Sequence, residues 1–592
     1  MSELIWEGKY RDGALVTPSR AAYPLEDIEL TGRGAPWHNR LIWGDKALAL
    51  PALLPEFAGK VNLIYIDPPF HTGSDFTLTA PDLHGLGGDG SAWPERTAYC
   101  DSWGGGLDGY LQWLYETLVL LRDLLAQDGA IYVHLDWRVE DHARLILDEV
   151  FGRSNLRNKI CWAYRSGGAS RRGALARKHD TILFYARSPA FRVRPRLERQ
   201  YLTKPFMGSR QDLQGRHYVD TVLRDVLEGE LWVVEEDLPT AYNMRPVLNL
   251  SRERAGYPTQ KPLGLLALLL RLASDPGDLV LDCFCGSGTT AVAAHQAGRR
   301  WIAADMSRSA IHTTRQRLLS LPDPPVFALQ TLAAHQRQSW ATGLSGPPDS
   351  PAAQVGYRGH ILAAYGAQPL PDAGYLHGAT TTGRLVAVAP LNEPLTSDWL
   401  TTIARAARRM CEDGVTTRSG VDVLTWEGAD TLPQIIAGCA DDLGVDVVVR
   451  RIPSELLDGR AAPRGAAWFP DIPTLTVEVQ SQGGRVRLAL SSFSLPVDHE
   501  PPESAAPDQW REWIACWEVD WDYRGGVLHN DWWSCRGRRT PVALTTAEHV
   551  YAAAGSYTMM VTAVDVLGRE TRARVQVTVG GPSAEQAPLP TP

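Results

Sequence analysis

The chain has 592 residues, too many for one compact hydrophobic core, so we expect two to four domains. Hydrophobic residues make up 44% and charged residues 21%, a balance typical of globular proteins that argues against wholesale disorder. The longest apolar stretch, 263–270, is far shorter than the ~20 residues of a membrane span, and no secretory signal opens the chain. The sequence therefore predicts a soluble, cytoplasmic, multidomain protein without a membrane partner.

The eight cysteines form no C-x-x-C pair and no spacing typical of secreted disulfide frameworks. We therefore expect free thiols in a reducing compartment. Cys283 and Cys285 flank one residue without other ligands nearby in sequence, so we interpret them as small packing residues. No metal site is predicted.

The net charge of −9 conceals a basic segment. Residues 151–220 contain sixteen Arg or Lys against four Asp or Glu, a local excess of twelve positive charges. Such an excess suits the neutralisation of nucleic-acid phosphates. A solvated basic surface is the alternative.

The first half of the chain alternates short apolar strands with helices. Predicted strands are 61–67, 130–135, 181–185, 279–282 and 301–305; predicted helices are about 111–125, one ending near 151, 261–273 and 289–297. This alternation indicates an open, mostly parallel α/β sheet.

Composition changes after residue 320. We predict a linker at 321–355, an accessory α/β domain at 356–470, a β-rich region at 471–580 and a flexible tail at 581–592. Strands of the accessory domain are expected at 385–389, 421–425 and 445–449.

The first motif is Asp67-Pro68-Pro69-Phe70, at the carboxyl end of an apolar strand, where open α/β sheets bind ligands. A carboxylate and a backbone carbonyl there could accept both N–H bonds of a conjugated base amine and make it nucleophilic. The prolines would fix the turn, and the aromatic ring could stack on an extruded base. An ordinary strand-ending turn is the alternative.

The second motif is LDCFCGSGTTAVAA, 281–294. A strand ending at Asp282 leads through Gly286-Ser287-Gly288 into a helix, so the backbone can approach a ligand closely. Asp305 closes the next strand, where a carboxylate commonly binds ribose hydroxyls. A tight strand–helix turn is the alternative, and no phosphate-binding GxxxxGK[ST] motif occurs.

The third motif, Tyr257-Pro258-Thr259-Gln260-Lys261-Pro262, precedes a predicted helix. Its lysine could hold a cofactor carboxylate. By itself the segment is an ordinary helix entry with an early proline.

DPPF, TQKP and DxFxGSGTT in this order resemble the β-group of amino-directed, S-adenosylmethionine-dependent DNA methyltransferases. The text around them, including GAIYVHLDWRVEDHARLILDEVFG and RKHDTILFYARS, is similar to modification subunits of type III restriction systems. The resemblance covers about 36–320 and implies a Rossmann-like catalytic domain at 1–320, with a DNA-contacting segment at about 151–255. The last module resembles a PKD/Ig-like sandwich.

The resemblance also implies roles for individual residues. Asp67 and the Pro68 carbonyl would accept hydrogen bonds from the target amine, Pro69 would hold the turn, and Phe70 would stack on the flipped base. The implied cofactor contacts are Asp45, Lys261, Asp282, Phe284, Gly286, Gly288, Thr289 and Asp305. The implied phosphate contacts are Arg171, Arg172, Arg177 and Lys178.

The implied reaction is direct methyl transfer from S-adenosyl-L-methionine to an exocyclic amine of double-stranded DNA. Asp before Pro-Pro favours N6 of adenine, with N4 of cytosine as the alternative. A separately encoded helicase/nuclease restriction subunit and a second copy of the chain are further partners that the family suggests.

Other interpretations compete with this one. The same tetrapeptide type occurs in RNA and protein-glutamine methyltransferases, and a catalytically idle DNA-binding subunit is a further alternative. A nuclease activity in the C-terminal region is rejected, because the nuclease metal motif requires a lysine and no lysine occurs after Lys261. His179 and Asp180 are interpreted as structural residues, and the tryptophans between 513 and 533 as packing residues.

Overall fold

The computed structural model consists of two compact units. The first comprises residues 1–27, 34–81 and 93–332, and the second 28–33, 82–92 and 333–592. The structure describes residues 3–73, 76–78, 96–99, 101, 103, 105–165, 175–235, 238–248, 251–335, 337, 350–370, 374–391, 395–414, 420–426, 443–453, 456, 469, 472–493, 510–537, 540–566 and 568–580.

The first nineteen strands run from the N-terminus to residue 331. They are β1 Tyr10–Arg11, β2 Ala14–Leu15, β3 Glu26–Thr31, β4 Asn39–Trp43, β5 Val61–Ile66, β6 Phe76–Leu78, β7 Arg96–Tyr99, β8 Leu125–Leu135, β9 Leu156–Ala163, β10 His179–Ala186, β11 Leu197–Leu202, β12 Arg210–Gln211, β13 His217–Val222, β14 Val226–Glu228, β15 Glu230–Glu235, β16 Leu238–Asn243, β17 Leu279–Asp282, β18 Arg300–Asp305 and β19 Phe327–Thr331.

Up to residue 331, the part of the chain that the structure describes has six α-helices alongside these strands. They are α1 Lys46–Phe57, α2 Gly106–Leu124, α3 Glu140–Leu147, α4 Leu263–Ala273, α5 Thr289–Gln296 and α6 Arg308–Leu319. A π-helical turn, Asp148–Gly152, and a 3-10 turn, Arg153–Asn155, follow α3.

Nine strands of the first unit form one sheet in the order β14-β9-β10-β8-β5-β17-β18-β4-β19. Pairing is parallel throughout except where β10 lies antiparallel between β9 and β8. The predicted α/β fold with a mostly parallel sheet is therefore confirmed. The strands consist largely of buried apolar residues, as expected when helices cover a sheet.

A separate five-stranded antiparallel sheet occupies much of the segment between β10 and α4. Its strand order is β12-β13-β11-β15-β16. One of its faces has aromatic rings next to arginines: the guanidinium of Arg199 lies 3.7 Å from the ring centroid of Tyr218, and that of Arg216 lies 4.1 Å from that of Tyr201. Basic residues of the predicted DNA-contacting segment thus lie on a folded sheet.

The predicted linker at 321–355 was wrong at both ends. Strand β19 lies within it, is fully buried and pairs in parallel with β4. The prolines before β19 suggested a linker, and its partner strand is almost 300 residues away in sequence, so no local pattern indicated the pairing. The next helix begins at Pro351, inside the predicted linker.

Within the described residues, the second unit has three further helices and thirteen further strands. The helices are α7 Pro351–Tyr365, α8 Ser397–Glu412 and α9 Trp510–Trp513; the strands are β20 Gln368–Pro369, β21 Gly378–Ala379, β22 Leu385–Val388, β23 Gly420–Thr425, β24 Asp446–Arg451, β25 Leu475–Gln482, β26 Arg485–Phe493, β27 Ile514–Asp520, β28 Leu528–Asn530, β29 Trp532–Cys535, β30 His549–Val550, β31 Gly555–Asp565 and β32 Glu570–Val579.

Strands β20 to β24 form a small α/β sheet in chain order. Residues of α7 and α8 belong to separate hydrophobic clusters that contain alternate residues of β22, so the two helices cover opposite faces. This arrangement confirms the α/β character predicted for the segment after the linker.

The C-terminal region is β-rich, as predicted. One antiparallel sheet has the order β25-β26-β30 and the other β29-β27-β31-β32, and β25 lies against β32, as in a sandwich. Strand β3, far away in sequence, pairs in parallel with β28.

The prediction that all cysteines are free was wrong. Cys516 of β27 and Cys535 of β29 are joined by a disulfide, because the antiparallel register places these two residues directly opposite each other. Their spacing of 19 residues gives no hint of this register. Cys283 and Cys285 are free and buried, consistent with packing residues.

The described residues contain no helix with both the length and the apolar character needed to cross a membrane. Within the same residues, no group of three or more His, Cys, Asp or Glu side chains is arranged to hold a metal ion.

The β31–β32 turn contains a buried ion pair that can be tested. The backbone N–H and Nε of Arg569 donate to the Asp565 carboxylate at 2.8 and 2.5 Å, and both residues are nearly fully buried. We expect Asp565→Ala to destabilise the second unit by about 3–5 kcal/mol, because it leaves a buried guanidinium without its counter-charge. Thermal unfolding followed by circular dichroism measures the effect. Arg408→Ala, which breaks an exposed pair with Glu412, is the control and should change stability little; equal effects would contradict the prediction.

Candidate functional site

Asp67 and Lys261 form an ion pair at the carboxyl edge of the main sheet. Asp67 directly follows β5, and Lys261 lies two residues before α4. Lys261 Nζ donates to Asp67 Oδ2, and the lysine is only 8% exposed. Asp67 Oδ1 is also buried, and no hydrogen-bond partner for it occurs among the described residues. A single acceptor atom is thus held in place without a donor.

The turn after Asp67 is fixed by a carboxylate from a distant segment. Asp101, 1% exposed, accepts hydrogen bonds from the backbone N–H groups of His71 and Thr72, both at 2.8 Å, and from the Thr72 hydroxyl at 2.7 Å. His71 has a φ of +57°, which residues with a side chain rarely adopt. Asp101 therefore stabilises the backbone just beyond Phe70.

The Phe70 ring has a cation and an imidazole near it. Lys261 Nζ is 5.5 Å from the centroid of its ring, and the ring of His134, at the end of β8, lies 6.3 Å away at an interplanar angle of 24°. Pro68 is buried, and Pro69 and Phe70 are half-buried. The motif therefore lies in a shallow, partly enclosed position with an aromatic ring at its surface.

His134 is completely buried and has a polar partner on each ring nitrogen. The Tyr65 hydroxyl lies 2.8 Å from Nδ1, and Asp180 Oδ2 lies 3.3 Å from Nε2. The Tyr164 hydroxyl donates to Asp180 Oδ1 at 2.9 Å. Burial opposes ionisation of Asp180, but the contact with His134, the positive charge of Lys261 and the hydrogen bond from Tyr164 together outweigh it, so the pKa of Asp180 is lowered. Asp180 is thus part of a buried network, in agreement with its structural interpretation.

Asp282 and Asp305 lie at the ends of the neighbouring parallel strands β17 and β18. Asp282 accepts from the Phe284 N–H at 3.0 Å and the Thr290 hydroxyl at 2.6 Å, whereas Asp305 accepts from the N–H groups of Gly286 and Ser307, both at 2.9 Å. Burial raises the pKa of Asp282 to about 7 and that of Asp305 to about 6. Both carboxylates shape the glycine turn between β17 and α5.

Two glycines of this turn have backbone conformations that other residues rarely adopt. Gly286 has a φ of +49°, and a Cβ there would lie 3.2 Å from the Tyr257 ring. Gly288 has a φ of +73°, and a Cβ there would lie 2.5 Å from Cγ2 of Thr314, whose hydroxyl donates to the Gly286 carbonyl at 2.9 Å. The turn forms a close-packed cradle of backbone at the start of α5.

Thr289 links this turn to the segment that contains Lys261. Its hydroxyl donates to the Lys261 carbonyl at 3.2 Å and accepts from the Arg317 guanidinium at 2.8 Å. Arg317 also donates to the Ser287 carbonyl at 3.2 Å. The Thr289 hydroxyl is therefore used in joining two parts of the site.

Asp45 and Phe284 lie at the same edge. Asp45 Oδ1 caps α1 by accepting from the Ala47 N–H at 2.7 Å, and the adjacent Gly44 N–H donates to the Asp305 carbonyl at 3.0 Å. The Phe284 ring contacts that of Trp113 at a centroid distance of 5.4 Å, and Lys46 Nζ lies 4.4 Å from the Trp113 centroid. Asp45 has a structural task of its own at the start of α1.

Two of the four predicted phosphate contacts, Arg171 and Arg172, lie outside the described residues. Arg177 is exposed, and its guanidinium lies 3.5 Å from the centroid of the Trp137 ring. Lys178 accepts a hydrogen bond at its backbone carbonyl from the Tyr164 N–H at 2.9 Å.

Three residues that shape the site, Asp101, His134 and Thr314, were not predicted from the sequence. Asp101 lies 34 residues beyond Asp67 and outside any motif, so no sequence signal identifies it. His134 lies in a predicted strand, at the end where ligands bind, and its position could have marked it. The Lys261–Asp67 contact was also missed, since the expected partner of Lys261 was a cofactor carboxylate.

The chain is similar to known DNA methylases. Residues 61–316 match the family described as DNA methylase. The type II methyltransferase M.EcaI of Enterobacter cloacae is 29% identical over 328 residues, which cover 47% of this chain and 69% of that protein. The DNA adenine methyltransferase YhdJ of Escherichia coli (strain K12) is 27% identical over 285 residues, which cover 47% and 82%. The Mod subunit of the type III restriction-modification enzyme StyLTI of Salmonella typhimurium is 23% identical over 335 residues. The similar region covers 43% of this chain and 49% of that subunit, so the chain spans about half of the subunit's length.

Gly288→Ala tests the packing of the glycine turn. We expect it to destabilise the first unit more than Gly298→Ala, since Gly298 has nearly the same φ, +70°, but its nearest neighbour would be 3.9 Å away. Both variants incur the left-handed backbone penalty of about 1–2 kcal/mol, and only Gly288→Ala must also displace Thr314. Thermal unfolding of both variants measures the difference. Equal destabilisation would show that close packing at Thr314 contributes nothing.

Proposed function

We propose that the chain methylates an exocyclic amine of a base in double-stranded DNA, and the match of residues 61–316 to the DNA methylase family supports this proposal. The observation that carries this proposal is Asp67 Oδ1, a buried acceptor without a donor among the described residues. Buried polar atoms are nearly always hydrogen-bonded, so an orphan acceptor at a ligand-binding edge suits a donor supplied by the substrate.

The cofactor is S-adenosyl-L-methionine, which supplies an activated methyl group on its sulfonium. The residues at the edge suit it: the Gly286–Gly288 turn connects the end of β17 to the start of α5, and Asp305 ends the neighbouring strand β18. Asp45, Asp282, Phe284 and Thr289 are the further residues proposed to hold it. Lys261, which the resemblance places near the cofactor carboxylate, is proposed to act mainly through Asp67. The aromatic pair Phe284 and Trp113 offers an apolar surface beside these polar groups.

The protein's contribution is to orient the amine. Asp67 Oδ1 and the Pro68 carbonyl accept its two N–H bonds, which directs the nitrogen lone pair out of conjugation with the base and towards the methyl group. Lys261 holds the other carboxylate oxygen, and Asp101 fixes the backbone beyond it. Phe70 stacks on the extruded base. As the new N–C bond forms, the C–S bond would break with its electron pair staying on sulfur, and Asp67 would take up the proton that the methylated nitrogen releases. Catalysis then arises from positioning, without a covalent intermediate on the protein.

The target amine is N6 of adenine. Asp before Pro-Pro supports this choice, as does the similarity to YhdJ, which is named a DNA adenine methyltransferase. The similarity to StyLTI Mod supports a role as the modification component of a restriction-modification system. A separately encoded helicase/nuclease subunit and a second copy of this chain are the partners proposed with it.

The proposal predicts transfer of labelled methyl from S-adenosylmethionine to unmethylated genomic DNA, which Asp67→Asn abolishes. Asparagine keeps the shape but replaces an acceptor oxygen by a donor, so we expect at least a hundredfold lower kcat with unchanged cofactor affinity. The DNA is digested to nucleosides to identify the methylated base.

Label in N6-methyladenine is the expected result. Label in N4-methylcytosine would support the proposed methyl transfer but contradict adenine as the target base. Cofactor binding without transfer to DNA would contradict DNA as the substrate, and absence of both would leave an idle DNA-binding subunit.

Lys261→Met separates two roles for Lys261. If the lysine mainly positions Asp67, as the ion pair suggests, kcat should fall at least tenfold while the cofactor Kd changes less than threefold. Isothermal titration of the cofactor and single-turnover kinetics measure the two quantities. A large loss of cofactor affinity with unchanged single-turnover rate would instead assign Lys261 to the cofactor carboxylate.

A further inference from the structure

Trp137 is an exposed tryptophan on a rigid turn between β8 and α3. It retains 45% of its surface exposed. The preceding Asp136 fixes the turn: its carboxylate accepts from the Arg138 N–H at 2.8 Å and pairs with the Arg138 side chain, and its carbonyl accepts from the Glu140 N–H at 3.2 Å. An exposed indole on a preorganised turn loses little conformational entropy when it binds a ligand, which favours it as a contact residue.

Two guanidinium groups lie close to the indole. Arg177 approaches from the segment before β10, with its carbon Cζ 3.5 Å from the ring centroid, and that of Arg138 is 5.0 Å away. Two acidic residues open α3: Glu140 is paired with Lys159 at 3.2 Å, and Asp141 is exposed. The surface around Trp137 therefore combines an aromatic ring with two guanidinium groups. Protein sites that bind single-stranded or unstacked nucleic acid have the same combination.

This surface lies at the same edge of the sheet as Asp67. Strands β5 and β8 are adjacent and parallel, and Ile66 pairs with Val133, so the chain leaves both strands at one edge. Phe70, which follows β5, contacts His134 at the end of β8, so the segments after the two strands are in direct contact. Trp137 is three residues beyond His134.

We propose that Trp137 is a DNA-binding residue, which stacks on a base next to the extruded nucleotide, and that Arg177 holds the indole while contacting phosphate. The inference rests on the proposed function, because it names a contact for the same DNA substrate. Extruding a nucleotide leaves its neighbours and its partner base without a stacking surface, and an indole at the site edge replaces that surface. The Arg177 guanidinium supplies charge for the backbone beside it.

The first test measures methyl transfer to genomic DNA fragments and equilibrium binding of a mixed-sequence duplex over a range of salt concentrations. Trp137→Ala should raise KM for DNA about five- to a hundredfold, with Trp137→Phe close to wild type, since loss of a stacked ring weakens binding by that order. Arg177→Ala should reduce the slope of log affinity against log salt by about one, whereas Trp137→Ala should leave the slope unchanged.

Tyr10→Ala is the matched control. Tyr10 is 44% exposed, and its hairpin is tied by the neighbouring Lys9 to Glu149, beyond the far end of α3. This variant should leave KM and the salt slope as in the wild type. Cofactor affinity should be the same in all four variants.

The second test reports contact directly. With p-benzoylphenylalanine at position 137, irradiation should crosslink the protein to genomic DNA fragments, and with the same group at position 10 it should not. Wild-type methyl transfer combined with an unchanged KM in Trp137→Ala, or with no crosslink at position 137, would overturn this inference and leave the proposed function intact. Absence of methyl transfer by the wild-type protein would overturn the proposed function itself.

Discussion

The carboxyl ends of parallel strands place three carboxylates at one edge of the sheet, and the site depends on how each of them is satisfied. Asp282 and Asp305 each receive two hydrogen bonds from the glycine turn or the residues beside it. Asp67 has the Lys261 cation on one oxygen and, among the described residues, no donor on the other. The burial that raises the pKa of Asp282 and Asp305 also makes an unpaired acceptor at Asp67 unfavourable. A substrate that donates a hydrogen bond there relieves this cost.

The local sequence pattern was sufficient to predict the glycine turn with its flanking elements and the strand that precedes Asp67. The strand ending at Asp282, the Gly286–Gly288 turn and the helix after it follow one another within a few residues, and β17 has the predicted bounds. The apolar strand before Asp67 was predicted to within one residue. Each of these elements is indicated by its own periodicity and turn residues, so the sequence pattern is sufficient.

The remaining features depend on contacts between distant segments. Lys261 meets Asp67 from 194 residues away, and Asp101 reaches the Phe70 turn across a segment without any motif. The buried strand β19 and the Cys516–Cys535 bridge depend on a partner strand and a register that no single stretch specifies. Pairings of this kind are set by the tertiary fold, and one sequence by itself does not determine which distant partner a residue meets.

Hydrogen-bond saturation distinguishes carboxylates that build the site from one that is available for chemistry. Asp101 and Asp136 each fix a turn through backbone N–H groups, and Asp45 caps a helix, so their positions near the sheet edge reflect the need to hold loops. In the sequence, all of these residues are acids near the ends of strands or in loops, and Asp67 differs from them only by the two prolines and the phenylalanine that follow it. The number of hydrogen-bond donors around each carboxylate oxygen is known only from the structure. An acceptor without a donor, held by a lysine and beside an aromatic ring, is the arrangement that an incoming amine would complete in the proposed reaction.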